Sequence, residues 1–207
     1  MLKIKVCGMR QIPNIKALEA LKPDIMGFIF YPGSKRYVGA DFRVPDSANI
    51  QKAGVFVDEQ PDKIKEKVFK NKLQLAQLHG NESPEQCCEL ASAGIKIIKA
   101  ISIGNSIDWQ SIEAYVPYCQ YLLFDTKTDN YGGSGRKFNW KLLQDYPYNN
   151  PYFIGGGIGI DDISAIKNHR MPHFAGIDIN SGFEREPGLK DIEKIKTFIE
   201  TLRNETI

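Results

Sequence analysis

Residues that can bind ligands or transfer protons stand at the ends of short apolar runs along this chain. Cys7, His79 and Asp125 each end such a run, and the segments Gly155-Gly156-Gly157 and Asn180-Ser181-Gly182 follow two others. The carboxyl ends of parallel strands gather on one face of a sheet or barrel, and ligands bind on that face. The pattern therefore predicts an enzyme and the location of its active site.

Cys7 is a candidate catalytic base or nucleophile. Period-2 alternation puts Lys5 and Cys7 on one face of the first strand and Ile4 and Val6 on the other. In a barrel the Ile/Val face packs against helices, so Lys5 and Cys7 point inward. A cationic Lys5 below the thiol would favour the reactive thiolate. The alternative is a small buried hydrophobic residue without a chemical role.

Asp125 is a candidate acid or hydroxyl-binding group. An Asp after a strand often serves only as a helix N-cap or turn residue. Here the next helical pattern starts near Asn139, which is too far along the chain for capping. Asp125 is therefore available for chemistry.

Two segments predict a phosphate site. The backbone of Gly155-Gly156-Gly157 can approach an anion closely, and Ser181-Gly182 precedes a possible helical turn whose N-terminus favours negative charge. Loops after strands seven and eight are the usual phosphate site of these barrels. A run of glycines alone could also be a tight turn.

Two further residues belong to the predicted barrel mouth. Arg36 could hold a carboxylate through its guanidinium fork, or be solvated. His79 is either an acid–base group or a polar residue at the mouth, whereas His169 and His173 lie near the opposite end and are discounted. A phosphate site, a thiol, a carboxylate and an arginine together indicate proton transfer on a small sugar phosphate.

The element pattern indicates the fold class. Strand candidates are 3–7, 25–30, 53–57, 74–78, 95–101, 120–125, 152–155 and 175–179. Helical patterns lie between them, and eight strand–helix units over residues 1–207 predict an α/β protein with a single (β/α)8 TIM barrel domain. A doubly wound sheet is the alternative. The longest irregular segment, 126–138, is predicted to be a lid or binding loop.

Helix boundaries carry their own signals. Patterns at 12–21 and 61–69 have helical spacing, and Ser83 with Gln86 forms a potential capping box. Asp161-Asp162 can cap the following helix, and Asp191 opens the last one.

Composition excludes several functional classes. Charged residues make up 25% of the 207 residues and the formal net charge is +2, which gives no footprint for nucleic acid or an anionic membrane. No apolar stretch approaches the roughly 18 residues of a membrane span, and no signal peptide is recognisable. The cysteines match no zinc or disulfide pattern, so we expect free thiols in a reducing cytoplasm. They are Cys7, Cys87, Cys88 and Cys119.

At these motifs the chain resembles the phosphoribosylanthranilate isomerases of tryptophan biosynthesis over nearly its whole length. The matching segments are Lys5-Val6-Cys7-Gly8, Gly27-Phe28-Ile29-Phe30, Ser34-Lys35-Arg36-Tyr37-Val38, Gly54-Val55-Phe56-Val57, Gln77-Leu78-His79-Gly80, Phe124-Asp125-Thr126-Lys127, Gly132-Gly133-Ser134-Gly135 with Phe138 and Trp140, Gly155-Gly156-Gly157-Ile158 and 176–184. In this order they are highly specific. Two departures are Met9-Arg10 and Asn180, where the family usually has small polar residues and Ser.

The resemblance implies an Amadori rearrangement of an aminoaldose to an aminoketose. It implies that Asp125 is the general acid, Cys7 the general base, and Arg36 the holder of the anthranilate carboxylate. The substrate-binding set would comprise Arg36, His79, Gly156, Gly157, Asp178, Ser181 and Gly182. No cofactor or metal is expected, and the small-molecule sugar phosphate would be bound by a monomer or homodimer.

Barrel closure adds one expectation. Strand eight neighbours strand one, and an inward ammonium on Lys5 needs a buried partner. Asp178 is the nearest candidate, so we predict a Lys5–Asp178 ion pair within about 5 Å, a generous limit for such contacts.

Two competing functions are considered. Indoleglycerol-phosphate synthase shares the barrel but has an extension before strand one, for which Lys3 leaves no room here. A non-catalytic phosphate-binding module would use Cys7 and Asp125 structurally. Turnover of phosphoribosylanthranilate distinguishes both from an isomerase.

Overall fold

Eight parallel strands form a closed barrel. A computed structural model describes residues 2–47, 49–126 and 137–203. The strands are β1 (Lys3–Val6), β2 (Ile25–Ile29), β3 (Gln51–Phe56), β4 (Leu75–Leu78), β5 (Ile97–Ile103), β6 (Cys119–Thr126), β7 (Tyr152–Ile154) and β8 (Phe174–Ile179). Each strand pairs with the next, and β8 pairs with β1. All eight predicted strands and the barrel are confirmed, with ends shifted by at most two residues.

Alternation along the strands divides the core into two layers. Ile4 and Val6 of β1 belong to the large cluster that packs between barrel and helices. A second cluster fills the barrel interior: Ile25, Ala53, Leu75, Ile98, Ala100, Tyr121, Leu123 and Phe153. Inward residues from neighbouring strands stack in this way in TIM barrels. Lys5 shares the inward phase of β1 and is 1% exposed.

Six α-helices accompany the strands in the part of the chain that the structure describes. They are α1 (Ile12–Glu19), α2 (Pro61–Lys70), α3 (Pro84–Ser92), α4 (Trp109–Glu113), α5 (Ile163–Asn168) and α6 (Ile192–Arg203). The capping box at Ser83 is confirmed, because the Gln86 amide donates to Ser83 Oγ and Gln86 Oε1 accepts from the Ser83 amide. Asp191 caps α6 by accepting from the Lys194 amide at 3.2 Å. Among the described residues, no helix is long and apolar enough to cross a membrane.

Two predicted details of the connections are wrong. Between β2 and β3, residues 30–47 and 49–50 contain no helix, because Pro32, Gly33, Gly39 and Pro45 interrupt any helical pattern there. This connection is longer than 126–138, which was predicted to be the longest irregular segment. Most of the predicted lid (127–136) lies outside the described residues. Its continuation, Trp140–Asp145, is a 3₁₀ helix.

Asp162 precedes α5 but does not cap it. Its Oδ2 accepts from the Gly159 amide at 2.7 Å, and its Oδ1 accepts from Lys137 Nζ at 2.7 Å. The carboxylate therefore closes the turn before the helix, and the prediction of a side-chain cap there is wrong.

A short hairpin follows the barrel's last strand. It consists of β9 (Glu184–Glu186) and β10 (Leu189–Lys190), and it places Glu184 opposite Lys190. Asn14 of α1 fixes it through two buried hydrogen bonds, accepting from the Lys190 amide at 2.8 Å and donating to the Lys190 carbonyl at 3.0 Å. The hairpin is thereby held against α1, beyond the carboxyl end of β1.

Candidate active site

A cavity opens at the carboxyl end of the barrel. Its wall includes every residue predicted for the site: Cys7, Arg36, His79, Asp125, Gly156, Gly157, Asp178, Ser181 and Gly182. The structure therefore brings the predicted residues together, because each lies near the end of a strand or in the loop that follows it.

Cys7 follows β1 directly, and its backbone N–H donates to the Ile179 carbonyl of β8 at 2.9 Å. The residue is 4% exposed and lies beside the Lys5 ammonium. Burial raises the pKa of the thiol, and the Lys5 and Lys190 charges only partly offset this. Lys5 thus acts in the predicted direction, but burial outweighs it and the thiol is the favoured form at neutral pH.

The predicted ion pair between strands one and eight is confirmed. Lys5 Nζ lies 2.7 Å from Asp178 Oδ2, and both side chains are buried. Burial alone would lower the pKa of Lys5, but the charges of Asp178 and Cys7 and the hydrogen bonds to both residues together outweigh burial and raise it. Lys5 therefore remains a cation below Cys7. Asp178 also borders the cavity, and its Oδ1 forms no hydrogen bond with any described residue.

Asp125 belongs to a chain of three polar side chains. His79 Nε2 lies 3.3 Å from Asp125 Oδ2, and His79 Nδ1 lies 2.7 Å from Gln77 Nε2. With the Gln77 amide donating, Nδ1 accepts and the proton resides on Nε2, facing the carboxylate. Asp125 Oδ1 accepts from the Thr126 amide at 2.7 Å. The carboxyl group is thus oriented at the end of β6 without capping a helix.

The loop carrying His79 is fastened by a buried ion pair. Glu82 Oε2 lies 2.8 Å from Lys99 Nζ, with the two side chains 1% and 4% exposed. Both Glu82 oxygens accept from the Gly80 amide, and Lys99 Nζ donates to the Gly80 carbonyl at 2.8 Å. Glu82 Oε1 also accepts from the Asp58 amide beyond β3. These bonds tie the loop after β4 to both neighbouring strands.

Two turns also line the cavity. Gly156 and Gly157 have φ values of +81° and +67°, a region that disfavours residues with a Cβ. A Cβ on Gly156 would lie 2.6 Å from Asp125 Oδ1, so glycine also permits the close approach. Ser181 and Gly182 begin the 3₁₀ helix Ser181–Phe183, whose first N–H groups have no partner within the helix. The backbone N–H groups of these turns can donate hydrogen bonds to an anion.

Arg36 does form a bidentate fork, but with a carboxylate of the protein. Its Nε lies 2.9 Å from Glu184 Oε1, and its Nη2 lies 2.6 Å from Oε2. Arg36 is 8% exposed and borders the cavity. Glu184 belongs to the family motif at residues 176–184, but no pattern in the sequence pairs it with Arg36.

Asn180 and Lys190 explain one departure from the family pattern. Lys190 Nζ donates to Asn180 Oδ1 at 2.7 Å and to Glu184 Oε1 at 2.7 Å. The Asn180 side-chain oxygen therefore holds a buried ammonium. At the other departure, Met9 is fully buried and Arg10 is exposed. Lys190, Gln77, Glu82 and Lys99 were missed as site residues. Gln77 lies only two residues before its partner His79, whereas Lys99 lies 17 residues beyond Glu82.

Known proteins resemble this chain in sequence and in fold. A family model described as N-(5'-phosphoribosyl)anthranilate (PRA) isomerase matches residues 4–201. The N-(5'-phosphoribosyl)anthranilate isomerase of Parabacteroides distasonis is 46% identical over 204 residues, which cover 96% of this chain and 92% of the relative. The crystal structure of the Thermotoga maritima phosphoribosyl anthranilate isomerase superposes with a TM-score of 0.80 at 33% identity, covering 98% of each chain.

A further solved structure contains a ligand. It is a phosphoribosyl anthranilate isomerase in complex with reduced 1-(o-carboxyphenylamino)-1-deoxyribulose 5-phosphate. Its TM-score is 0.76 at 30% identity, with 98% of each chain covered. With the family model spanning almost the whole barrel and the relatives matching end to end, this chain belongs to the N-(5'-phosphoribosyl)anthranilate isomerase family.

Proposed function

We propose that this barrel catalyses the Amadori rearrangement of N-(5-phosphoribosyl)anthranilate to 1-(2-carboxyphenylamino)-1-deoxyribulose 5-phosphate, a step of tryptophan biosynthesis. The observation that carries the proposal is that a carboxyl group, Asp125, and a thiol, Cys7, line the same cavity. An isomerisation that opens a ring and moves a carbon-bound proton needs one acid and one base. Neither a binding module nor a lyase accounts for both groups as directly.

Asp125 acts first, as the general acid. It donates a proton to the furanose ring oxygen, the C1–O bond breaks, and the nitrogen lone pair forms a protonated Schiff base at C1. The Asp125 carboxyl is oriented for this by the Thr126 amide on one oxygen and His79 on the other. His79, in turn, is oriented by Gln77.

Cys7 acts second, as the general base. It removes the proton from C2; the electron pair of that C–H bond forms the C1–C2 double bond, and the π pair of the iminium moves to nitrogen, giving an enolamine. Protonation at C1 and loss of the C2 hydroxyl proton yield the ketone. The iminium is the electron sink, so the reaction needs no external cofactor.

The remaining residues bind the substrate. Arg36 faces the anthranilate carboxylate, and the backbones of Gly156, Gly157, Ser181 and Gly182 receive the phosphate. Asp178 accepts a hydrogen bond from a sugar hydroxyl through Oδ1, an assignment supported by its position on the cavity wall.

Turnover of phosphoribosylanthranilate, followed by its fluorescence, tests the proposal. Cys7→Ser and Asp125→Asn should each lower kcat by roughly 10²–10⁴-fold, the usual contribution of a general acid or base. Cys88→Ser and Asp161→Asn, outside the site, are matched controls that should keep wild-type rates. Turnover that survives both site substitutions contradicts the assigned roles. A wild-type protein that binds phosphate without turnover would instead be a binding module.

We place the enzyme in the cytoplasm as a monomer or homodimer. Support for the compartment comes from the four cysteines, all of which are free thiols, as suits a reducing environment. Cell fractionation and light scattering of the purified protein test the two statements separately.

A further inference from the structure

Both carboxylate oxygens of Glu184 accept hydrogen bonds, and Arg36 donates to each of them. Its Oε1 accepts from Arg36 Nε at 2.9 Å, from Lys190 Nζ at 2.7 Å and from the Gly188 amide at 3.1 Å. Its Oε2 accepts from Arg36 Nη2 at 2.6 Å. The side chains of Arg36 and Glu184 are 9% and 5% exposed, so little water competes for these bonds. The guanidinium plane is consequently fixed.

Fixing one edge of the guanidinium determines what the other edges face. Glu184 engages Nε and Nη2, and Arg36 borders the cavity, so the edge containing Nη1 is left for a ligand. A planar carboxylate is the group that such an edge recognises best. Glu184 itself does not line the cavity, so it acts only through Arg36.

Lys190 keeps this cluster positive. A lone Arg36–Glu184 pair would be neutral and would attract an anionic ligand poorly. Lys190 Nζ has three acceptors, Glu184 Oε1, Asn180 Oδ1 and the Asn180 carbonyl, which match the three N–H donors of an ammonium. Burial tends to raise the pKa of Glu184, but the bonds from Arg36 and the Lys190 charge outweigh it and lower that pKa. Burial lowers the pKa of Lys190 against the opposing charge of Glu184, but the three acceptors around Nζ match a protonated ammonium. Two cations then flank one carboxylate and leave one net positive charge.

We propose that Glu184 is a positioning residue that sets selectivity for an aryl amine bearing an ortho carboxylate, by holding the Arg36 guanidinium with its free edge in the cavity. Lys190 preserves the positive charge of the cluster, and the hairpin β9–β10 brings both residues to Arg36. This inference rests on the function proposed above, in which Arg36 binds the anthranilate carboxylate.

The test compares two stable ligands by titration calorimetry. One is reduced 1-(o-carboxyphenylamino)-1-deoxyribulose 5-phosphate, and the other is the same compound without the carboxyl group. Glu184→Gln should weaken binding of the first by roughly tenfold to a hundredfold, the range for losing an oriented bond to a charged group, and leave the second within about twofold. Simple electrostatics predicts the opposite sign, because removing a negative charge should tighten binding of an anion.

Two further variants separate positioning from charge and from folding. Glu186→Gln makes the same charge change on the exposed part of the hairpin and should leave both affinities unchanged. In an Arg36→Met background, Glu184→Gln should cause no further loss for the carboxylated ligand, because its effect runs through Arg36.

The outcomes distinguish the inference from the proposed function. Equal weakening of both ligands, or tighter binding of the carboxylated one, would overturn the role of Glu184 while wild-type turnover still stood. Wild-type protein that neither turns over phosphoribosylanthranilate nor prefers the carboxylated ligand would overturn the function itself.

Discussion

Cys7 is subject to two opposing influences. Burial raises the pKa of its thiol, whereas the ammonium groups of Lys5 and Lys190 lower it; the Asp178 charge acts with burial. Below that raised pKa the thiolate fraction grows about tenfold per pH unit, so a thiolate base makes kcat/KM rise with pH. We expect a rising profile between pH 6 and 9, measured by fluorescence. A flat profile over that range contradicts the assignment.

Removing Lys190, one of the two cations near Cys7, provides a second test of this pH profile. Lys190→Met removes a charge that lowers the pKa of Cys7, so the pKa increases and the rise of kcat/KM moves to higher pH. Activity at pH 7 then falls, and part of it returns on raising the pH. Cys88→Ser, on α3, should leave the profile unchanged.

The sequence predicts the positions of some site residues, but not the contact partners of others. Alternation along a strand is a local property, and it correctly put Lys5 and Cys7 on the inward face. The partner of Arg36 is 148 residues away, on a hairpin that has no apolar alternation of its own. Sequence could therefore predict that Arg36 binds a carboxylate, but not that Glu184 already occupies one edge of its fork.

At the scale of elements, the loop after β4 depends on the buried Glu82–Lys99 pair. Lys99→Met leaves a buried, unpaired carboxylate, which costs about 3–5 kcal/mol of unfolding free energy. Urea denaturation should show this loss, and kcat/KM of the folded protein should fall as His79 loses its position. Adding Glu82→Gln removes the stranded charge and should recover part of the stability.

A surface pair provides the comparison for this element. Lys65 and Glu89 lie 2.6 Å apart between α2 and α3, with side chains 25% and 50% exposed. Lys65→Met should cost at most about 1 kcal/mol, the usual limit for an exposed pair, with no change in kcat/KM. Equal losses at Lys99 and Lys65 would contradict the anchoring role of the buried pair.

The secondary-structure elements also show which features local sequence patterns predict and which they miss. Runs rich in Ile, Val, Leu and Phe identified all eight strands, and the caps at Ser83 and Asp191 identified two helix starts. The missing helix between β2 and β3 was not foreseen, because a repeat of strand and helix was extended over a segment rich in Pro and Gly. In that connection, Tyr37 forms an isolated parallel β-bridge with Ile29 at the end of β2.

At the scale of the whole molecule, the barrel closes where its first and last strands meet. Four register pairs join β1 to β8, and one of them sets Lys5 opposite Asp178. Closure is not encoded in any one segment, but a parallel eight-strand order leaves β8 beside β1. That reasoning allowed an ion pair spanning 173 residues to be predicted from sequence. The pair also lies beside Cys7, so the closing seam and the proposed base share one buried charge pair.

A double-mutant cycle tests what this seam contributes to stability. Lys5→Met and Asp178→Leu each strand a buried charge, so each should lower the unfolding free energy by about 3–5 kcal/mol. The double variant replaces the pair with apolar side chains of similar volume and should be more stable than either single variant. Urea denaturation gives the unfolding free energy of all four proteins. If the slope of that free energy against urea concentration is the same in all four, unfolding exposes the same surface, as expected when the barrel stays closed. Strictly additive losses would mean that the two charges do not stabilise each other across the seam.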